Sequence, residues 1–165
     1  MIYMRVLDQI KANVNELSKR VVKDFLNREE TKSYRKFTEE FHLERVNDIF
    51  SDLISWLEKE KPKTHMEKFY KELGKKRLQA DIPLHETIMY LMLIKRHIWL
   101  FVLENHLLDT TYESTKALEL NNKIVLYFDR AIINVTIGYE EELAKQMKDA
   151  GHGGLIRSLL KKGKA

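Results

Sequence analysis

Glu39 and His42 have the spacing of a metal-binding pair. In di-iron helical bundles, a Glu-x-x-His pair from each of two helices helps to hold the metals. The chain contains this pair once, so the two residues are more typical of a solvated helix face, and we predict no metal site. A metal-dependent enzyme built on this pair is a further hypothesis. The chain also lacks a Ser-His-Asp or phosphate-loop motif, and we predict no catalytic residue and no enzyme.

Three histidines, His85, His97 and His106, are candidate haem ligands. His97 and His106 share one apolar segment but lie nine residues apart, so they do not form the stacked i, i+4 pair of a helix. A hydrogen-bonded or exposed histidine is the more frequent case in folded proteins. We therefore predict no cofactor, and these three histidines stand as the alternative ligands of a haem.

Arginine and aromatic side chains form a third group, with the chemistry of a small-ligand site. Arg77 could hold a carboxylate or another anion with its planar donor fork; the alternatives are a salt bridge to Asp81 or a solvated position near a helix end. Arg96 lies within an apolar segment, where a buried guanidinium needs an acidic partner. Aromatic side chains commonly line pockets, although most belong to the core. The candidate ligand-binding residues are Arg77, Tyr90, Arg96, Trp99 and Tyr139.

The elements that would position these residues are helices. Apolar residues recur at steps of three and four, and no segment has the period of two that marks a strand. With six glycines and two prolines in the chain, long elements stay uninterrupted. The predicted fold class is all-α, a bundle of five to six helices with two long C-terminal helices and no sheet. The predicted helices cover 3–27, 38–60, 65–80, 83–108 and 114–148, with a single turn at 34–37.

Local signals set the ends of these helices. Thr38 is followed by two glutamates, and acids in the first turn favour the positive end of the helix dipole. Thr64 and Glu67 form a capping box for the third helix. Pro83 suits the first position of the fourth helix, where its missing N–H would be unpaired in any case. The last helix is predicted to end at Gly151, Gly153 and Gly154.

Composition narrows the class of protein further. A chain of 165 residues with 44% hydrophobic and 33% charged residues is typical of one soluble domain. The net charge is +4, and the four cations of the last eleven residues leave 4 − 4 = 0 for residues 1–154. No nucleic-acid partner is therefore expected. The chain has no cysteine, no signal peptide and no apolar run of ~20 residues, and we predict a cytoplasmic protein.

Two segments carry a resemblance to a known family, "ELGKKRLQADIPLHETIMYLMLIKRHIWL" and "FDRAIINVTIGYEEEL". They resemble the sensor-globin group, most closely the non-haem sensing domain at the N-terminus of the RsbR and RsbRD co-antagonists of the bacterial stressosome. Haem-binding sensor globins have a glycine, the proximal histidine at the third position after it, and then a hydrophobic-proline pair that opens the next helix. At the corresponding positions this chain has Gly74, Arg77 and Ile82-Pro83, followed by Asp129 and Tyr139 on the terminal helix.

Arg77 is the departure from the haem-binding members of the group. A guanidinium stays protonated and offers no lone pair to iron, so it cannot replace an imidazole ligand. An arginine at this place is usual in RsbRD-type domains. The resemblance, which covers residues 68–145, therefore implies a globin-derived sensor that has lost its haem.

The resemblance also implies a globin-like fold and a non-enzymatic, cytoplasmic signal-sensing function. Residues 1–150 would form the sensor domain, and residues 151–165 a glycine-rich break with a basic amphipathic tail. Helices 83–108 and 114–148 would form an intermolecular four-helix bundle in a homodimer and pass the signal to a regulatory protein partner or output domain. The tail could also touch an anionic membrane surface, although a frayed terminus is the more common case. The alternative is a haem-binding gas sensor that uses one of the three histidines.

Overall fold

The computed structural model describes residues 2–60, 62–105 and 110–162, with side chains from residue 5 to residue 151 except Glu113. These residues form helices and connecting turns, and none of them lies in a strand. The predicted all-α class is therefore confirmed. In chain order the helices are α1 (Ile2–Ala12), α2 (Val14–Leu26), a 3-10 helix (Glu29–Lys36), α3 (Glu39–Leu57), α4 (Lys63–Gln79), α5 (Leu84–Glu104) and α6 (Thr111–Lys162).

The N-terminal segment contains two helices where the sequence predicted one over 3–27. The break falls at Asn13, which has φ −116° and ψ 13°. Its side-chain amide donates to the carbonyl oxygen of Gln9 at 2.8 Å. Asparagine competes in this way with the backbone bonds of a helix, which is why it favours helix ends. The predicted apolar stripe is confirmed on both sides of the break, since Ile10, Leu17 and Val21 are buried.

The starts of α3 and α4 test the two predicted caps. The hydroxyl of Thr38 accepts a hydrogen bond from the backbone N–H of Phe41 at 3.2 Å, so the first cap is confirmed. The capping box at Thr64 and Glu67 was wrong, because α4 begins earlier. Extended Pro62 is the residue before the helix, and its carbonyl already accepts from the N–H of His65 at 2.9 Å. Thr64 therefore lies inside the first turn of α4.

A tight corner joins α4 to α5. Asp81 has φ 52°, the left-handed conformation that ends many helices. The N–H of Ile82 donates to the carbonyl oxygen of Arg77 at 2.9 Å, and the N–H of Asp81 to that of Leu78 at 2.9 Å. This pair of bonds is the Schellman arrangement. Pro83 is the residue just before α5 and not its first residue, so the helix begins one residue later than predicted.

Helix α6 continues past the predicted end of the last helix. It runs from Thr111 to Lys162 and includes Gly151, Gly153 and Gly154, so the predicted stop was wrong. Glycine lowers helix stability by about 1 kcal/mol relative to alanine but keeps the backbone donor, and it does not by itself end a helix. At Gly151 an added Cβ would meet nothing within 4 Å, so no turn or close contact requires glycine there. None of the described helices has the length and apolarity of a membrane span.

Helices α4 and α6 pack so closely that their backbones touch. A Cβ added to Gly74 would lie 2.1 Å from the carbonyl oxygen of Val135. A Cβ added to Gly138 would lie 2.0 Å from the carbonyl oxygen of Lys71. Only glycine permits this approach, because any other residue places a carbon atom where the facing backbone lies. The two glycines therefore fix α6 against the helix that carries Arg77.

Candidate functional site

Arg77 lies in the last turn of α4 and is buried, with 4% of its surface exposed. Its guanidinium carbon lies 5.4 Å from the ring centroid of Tyr34 and 5.7 Å from that of Tyr90. The two rings stack on each other with centroids 5.1 Å apart. These are distances at which a cation is attracted to the face of an aromatic ring. The alternative of a solvated Arg77 was therefore wrong.

The charge of Arg77 has no direct acidic partner. The two lysines that precede Arg77 have acidic partners, Lys75 with Glu141 and Lys76 with Glu72, but no ion pair in the described ranges includes Arg77. The Nε of Arg77 is buried and makes no hydrogen bond. A buried donor without an acceptor is costly, because it has lost its hydrogen bonds to water and has gained none in return.

A buried carboxylate, Glu86, lies in the first turn of α5 and is 3% exposed. Its two oxygens accept from the backbone N–H and the hydroxyl of Ser33, both at 2.8 Å. These bonds satisfy the carboxylate without Arg77. Among the described residues, no hydrogen bond or ion pair joins Glu86 to Arg77.

The hydroxyl of Tyr90 is also buried without a hydrogen-bond partner. Burial raises the pKa of Tyr90, and the positive charge of Arg77 lies close enough to counter part of that rise. Burial likewise raises the pKa of Tyr34. Both phenols are therefore neutral near pH 7. In the stack formed by Arg77, Tyr34 and Tyr90, the only charged side chain is Arg77.

A cavity of about 360 Å³ opens beside Arg77 between α3 and α4. Its floor is apolar, and its rim is charged. A second arginine, Arg45, faces it: its guanidinium carbon lies 5.4 Å from the ring centroid of Phe41, it bonds to Asp48 at 3.3 Å, and its Nε is buried and unpaired. The lining residues are Phe37, Phe41, Arg45, Asp48, Ile49, Phe69, Glu72, Leu73, Lys76, Arg77 and Ala80.

The other predicted ligand-binding residues lie elsewhere. Arg96 is exposed on α5, so the predicted need for an acidic partner does not arise. With half-buried Trp99 it lines a separate groove of about 470 Å³ against α6. The hydroxyl of Tyr139 donates to the carbonyl oxygen of Ile82 at 3.1 Å and ties α6 to the corner. The structure therefore brings together Arg77 and Tyr90 from the predicted set, with Tyr139 as a support.

Of the three candidate haem ligands, two lie within the described residues, and neither of them lines the cavity beside Arg77. His85 is exposed, His97 has its Nε2 at 2.8 Å from a carboxylate oxygen of Asp24, and His106 lies outside the described residues. A haem also needs a flat apolar slot beside its ligand. On the side of Arg77 away from the cavity, the stacked rings of Tyr34 and Tyr90 fill the space that such a slot would need.

Glu39 and His42 do not share a solvated face, so that prediction was wrong for His42. Glu39 is exposed, whereas His42 is 1% exposed. The Nε2 of His42 lies 2.8 Å from the carbonyl oxygen of Tyr34 and must donate, because a carbonyl only accepts. Burial lowers the pKa of His42, and the charge of Arg77 adds to this effect. Among the described residues no group of three or more His, Cys, Asp or Glu side chains could hold a metal ion.

Sequence reasoning missed a buried polar chain on the other side of the core. The hydroxyl of Tyr127 donates to a carboxylate oxygen of Asp52 at 2.8 Å, and the hydroxyl of Tyr70 lies 2.8 Å from that of Tyr127. His65 lies 3.8 Å from Asp52, at the end of this hydrogen-bonded series that is nearest the protein surface. The available signal was Asp52 itself, which stands three residues after Ile49 on the buried face of α3.

Comparisons with known proteins add no relative. No protein-family model, curated protein or solved structure matches this chain. The resemblance to sensor globins therefore remains an expectation, and the function has to be argued from the site.

Changing Tyr90 to Phe is expected to raise the free energy of unfolding by less than about 1 kcal/mol. The change removes a buried hydroxyl that has no partner and keeps the ring against Arg77. Urea denaturation of both proteins gives the difference. The matched control is Tyr139→Phe, which loses a hydrogen bond and should destabilise by about 1 kcal/mol. A loss of about 2 kcal/mol in Tyr90→Phe would mean that the hydroxyl has a partner.

Proposed function

We propose that this chain is a non-enzymatic, cytoplasmic sensory domain that works as a homodimer. A change at Arg77 moves α4, α4 moves α6, and α6 passes the change to a regulatory partner or output module. The observation that carries the proposal is the backbone contact between Gly74 and Gly138, because it joins the helix of the buried, unpaired arginine directly to the longest helix of the chain.

The contact supports coupling because Gly74 lies less than one turn before Arg77 on α4. A displacement of Arg77 is therefore a displacement of the contact. Packed helices without space between them shift as units rather than deforming. The bond from Tyr139 to Ile82 adds a second connection between α6 and the corner that follows Arg77.

The surface of α5 and α6 supports the homodimer. Every exposed large apolar side chain in the described part of the chain lies on one of these two helices. At roughly 100° per residue, those of α6 lie on the side opposite to its buried residues. A helix that is apolar on two opposite sides packs on its own core and on a second surface. The exposed residues are Met92, Leu103, Tyr112, Leu118, Leu126, Ile133, Leu143 and Met147.

Hydrogen–deuterium exchange tests the coupling. We expect Arg77→Met to speed amide exchange in α4 and in the part of α6 around Gly138, relative to α3 of the same protein. Arg20→Met, which changes an exposed arginine of α2 outside the cavity, should leave α6 unchanged. Altered exchange in α4 with no change in α6 would contradict the proposal.

Light scattering tests the homodimer. We expect the mass of two chains for the wild type and of one chain for Ile133→Lys, which places a charge on the exposed apolar side of α6. A single-chain mass for the wild type at all concentrations would contradict the dimer.

A further inference from the structure

The cavity beside Arg77 has the composition of a site for an anion with an apolar body. Three phenylalanine rings, from Phe37, Phe41 and Phe69, form part of its wall. Its volume of about 360 Å³ lies at the small end of the range for small-molecule sites. The occupant that this space favours is therefore compact and mostly apolar.

The charges around the cavity specify a single negative charge. Its cations are Arg45, Lys76 and Arg77, and its acids are Asp48 and Glu72. Asp48 pairs with Arg45 at 3.3 Å, and Glu72 lies 3.9 Å from Lys76. Each acid thus has a cation, which leaves Arg77 as the one cation of the lining without an acid. The lining therefore has a net charge of 3 − 2 = +1, which one negative charge on a ligand would balance.

Arg77 is held in place with a donor that is free to bind an anion. It is 4% exposed, its Nε makes no hydrogen bond, and its position is fixed by the rings of Tyr34 and Tyr90. A guanidinium that is held in place loses little freedom on binding, and its planar donors match a carboxylate. Burial strengthens such a charged contact, since water no longer screens it.

We infer that this cavity binds a compact, mostly apolar monocarboxylate, with its carboxylate on Arg77 and its apolar body against Phe37, Phe41 and Phe69. This inference deepens the proposed function, because it names the chemical class of the signal. Binding would supply the buried Nε of Arg77 with an acceptor, which it lacks in the protein. It would also bridge α4 to the segment that leads into α3, which is how occupancy would bear on the contact between α4 and α6.

Isothermal titration calorimetry with four probes tests the inference. Phenylacetate represents an aromatic monocarboxylate, octanoate an aliphatic one, phenylacetamide the neutral analogue, and inorganic phosphate an anion without an apolar body. We expect phenylacetate or octanoate to bind and the other two probes to bind at least tenfold more weakly. Equal binding of phenylacetamide, tighter binding of phosphate, or no binding of either carboxylate would overturn the inference.

Variants locate the site. We expect Arg77→Lys and Arg77→Met to weaken carboxylate binding by about tenfold or more, because each removes the donor fork. Phe69→Ala changes the wall and keeps Arg77, so it tests the site even if the Arg77 variants fail to fold. We expect it to weaken binding too, whereas Arg96→Met should bind as the wild type does. Unchanged affinity in Phe69→Ala would overturn the inference.

The two proposals can fail separately. If neither carboxylate binds but Arg77→Met still alters exchange in α6, the ligand class is wrong and the coupling stands. If a carboxylate binds at Arg77 but α6 is indifferent both to the ligand and to Arg77→Met, the site stands and the proposed transmission is wrong.

Discussion

Replacing Gly138 by alanine is expected to lower the free energy of unfolding by about 3 kcal/mol, the upper end of the usual cost of overpacking. The new Cβ would lie 2.0 Å from the carbonyl oxygen of Lys71 and 2.6 Å from its Cα. These are backbone atoms of α4, so the overlap cannot be relieved by rotating a side chain. The helices would have to separate, and their shared core would lose its close packing.

Chemical denaturation followed by circular dichroism measures this effect. The matched control is Gly151→Ala in the same helix, where the added Cβ meets nothing within 4 Å. The control should stabilise the protein by up to about 1 kcal/mol, because alanine favours a helix more than glycine does. If both variants behaved alike, the close contact of α4 and α6 would not exist in solution.

The glycines at 74, 138 and 151 show how far the sequence predicts the fold. Apolar spacing predicted the all-α class and most of α3, α4 and α5, because that spacing records which face of a helix is buried. The glycines were read as a family feature at Gly74 and as a helix stop at Gly151. Their difference depends on what lies opposite each one, and no pattern within a single helix contains that information.

The candidate site divides in a similar way. The sequence singled out Arg77 and Tyr90, because an arginine at the end of one helix and a tyrosine in an apolar stretch of the next are visible locally. It could not predict that Tyr34 would stack with Tyr90 beside Arg77, or that Arg77 would have no acidic partner in an ion pair. Both facts depend on the 3-10 helix packing against α5, and such tertiary placement overrides the local preference of a charged side chain for water.

Changing Tyr127 to Phe is expected to destabilise the protein by about 3 kcal/mol. A carboxylate only accepts, so Tyr127 must donate its proton to Asp52, and Tyr70 must donate to Tyr127. Burial and the charge of Asp52 raise the pKa of Tyr127, so its proton stays in place. Tyr127→Phe removes both bonds. It leaves the buried hydroxyl of Tyr70 without its acceptor and the carboxylate of Asp52, which is 5% exposed, with only His65 at 3.8 Å. Unpaired groups of this kind cost about 1 to 3 kcal/mol each.

The order of donors in this hydrogen-bonded series gives a sharper test than the size of the loss in stability. Tyr70→Phe removes only the donor at the end of the chain, so it should cost about 1 kcal/mol and leave Tyr127 bound to Asp52. The double variant should then be more stable than Tyr127→Phe alone, because it no longer buries the orphaned hydroxyl of Tyr70. Denaturation of the four proteins completes the cycle. Additive losses would contradict the hydrogen-bonded series from Tyr70 through Tyr127 to Asp52, because losses add only when the two hydroxyls do not interact.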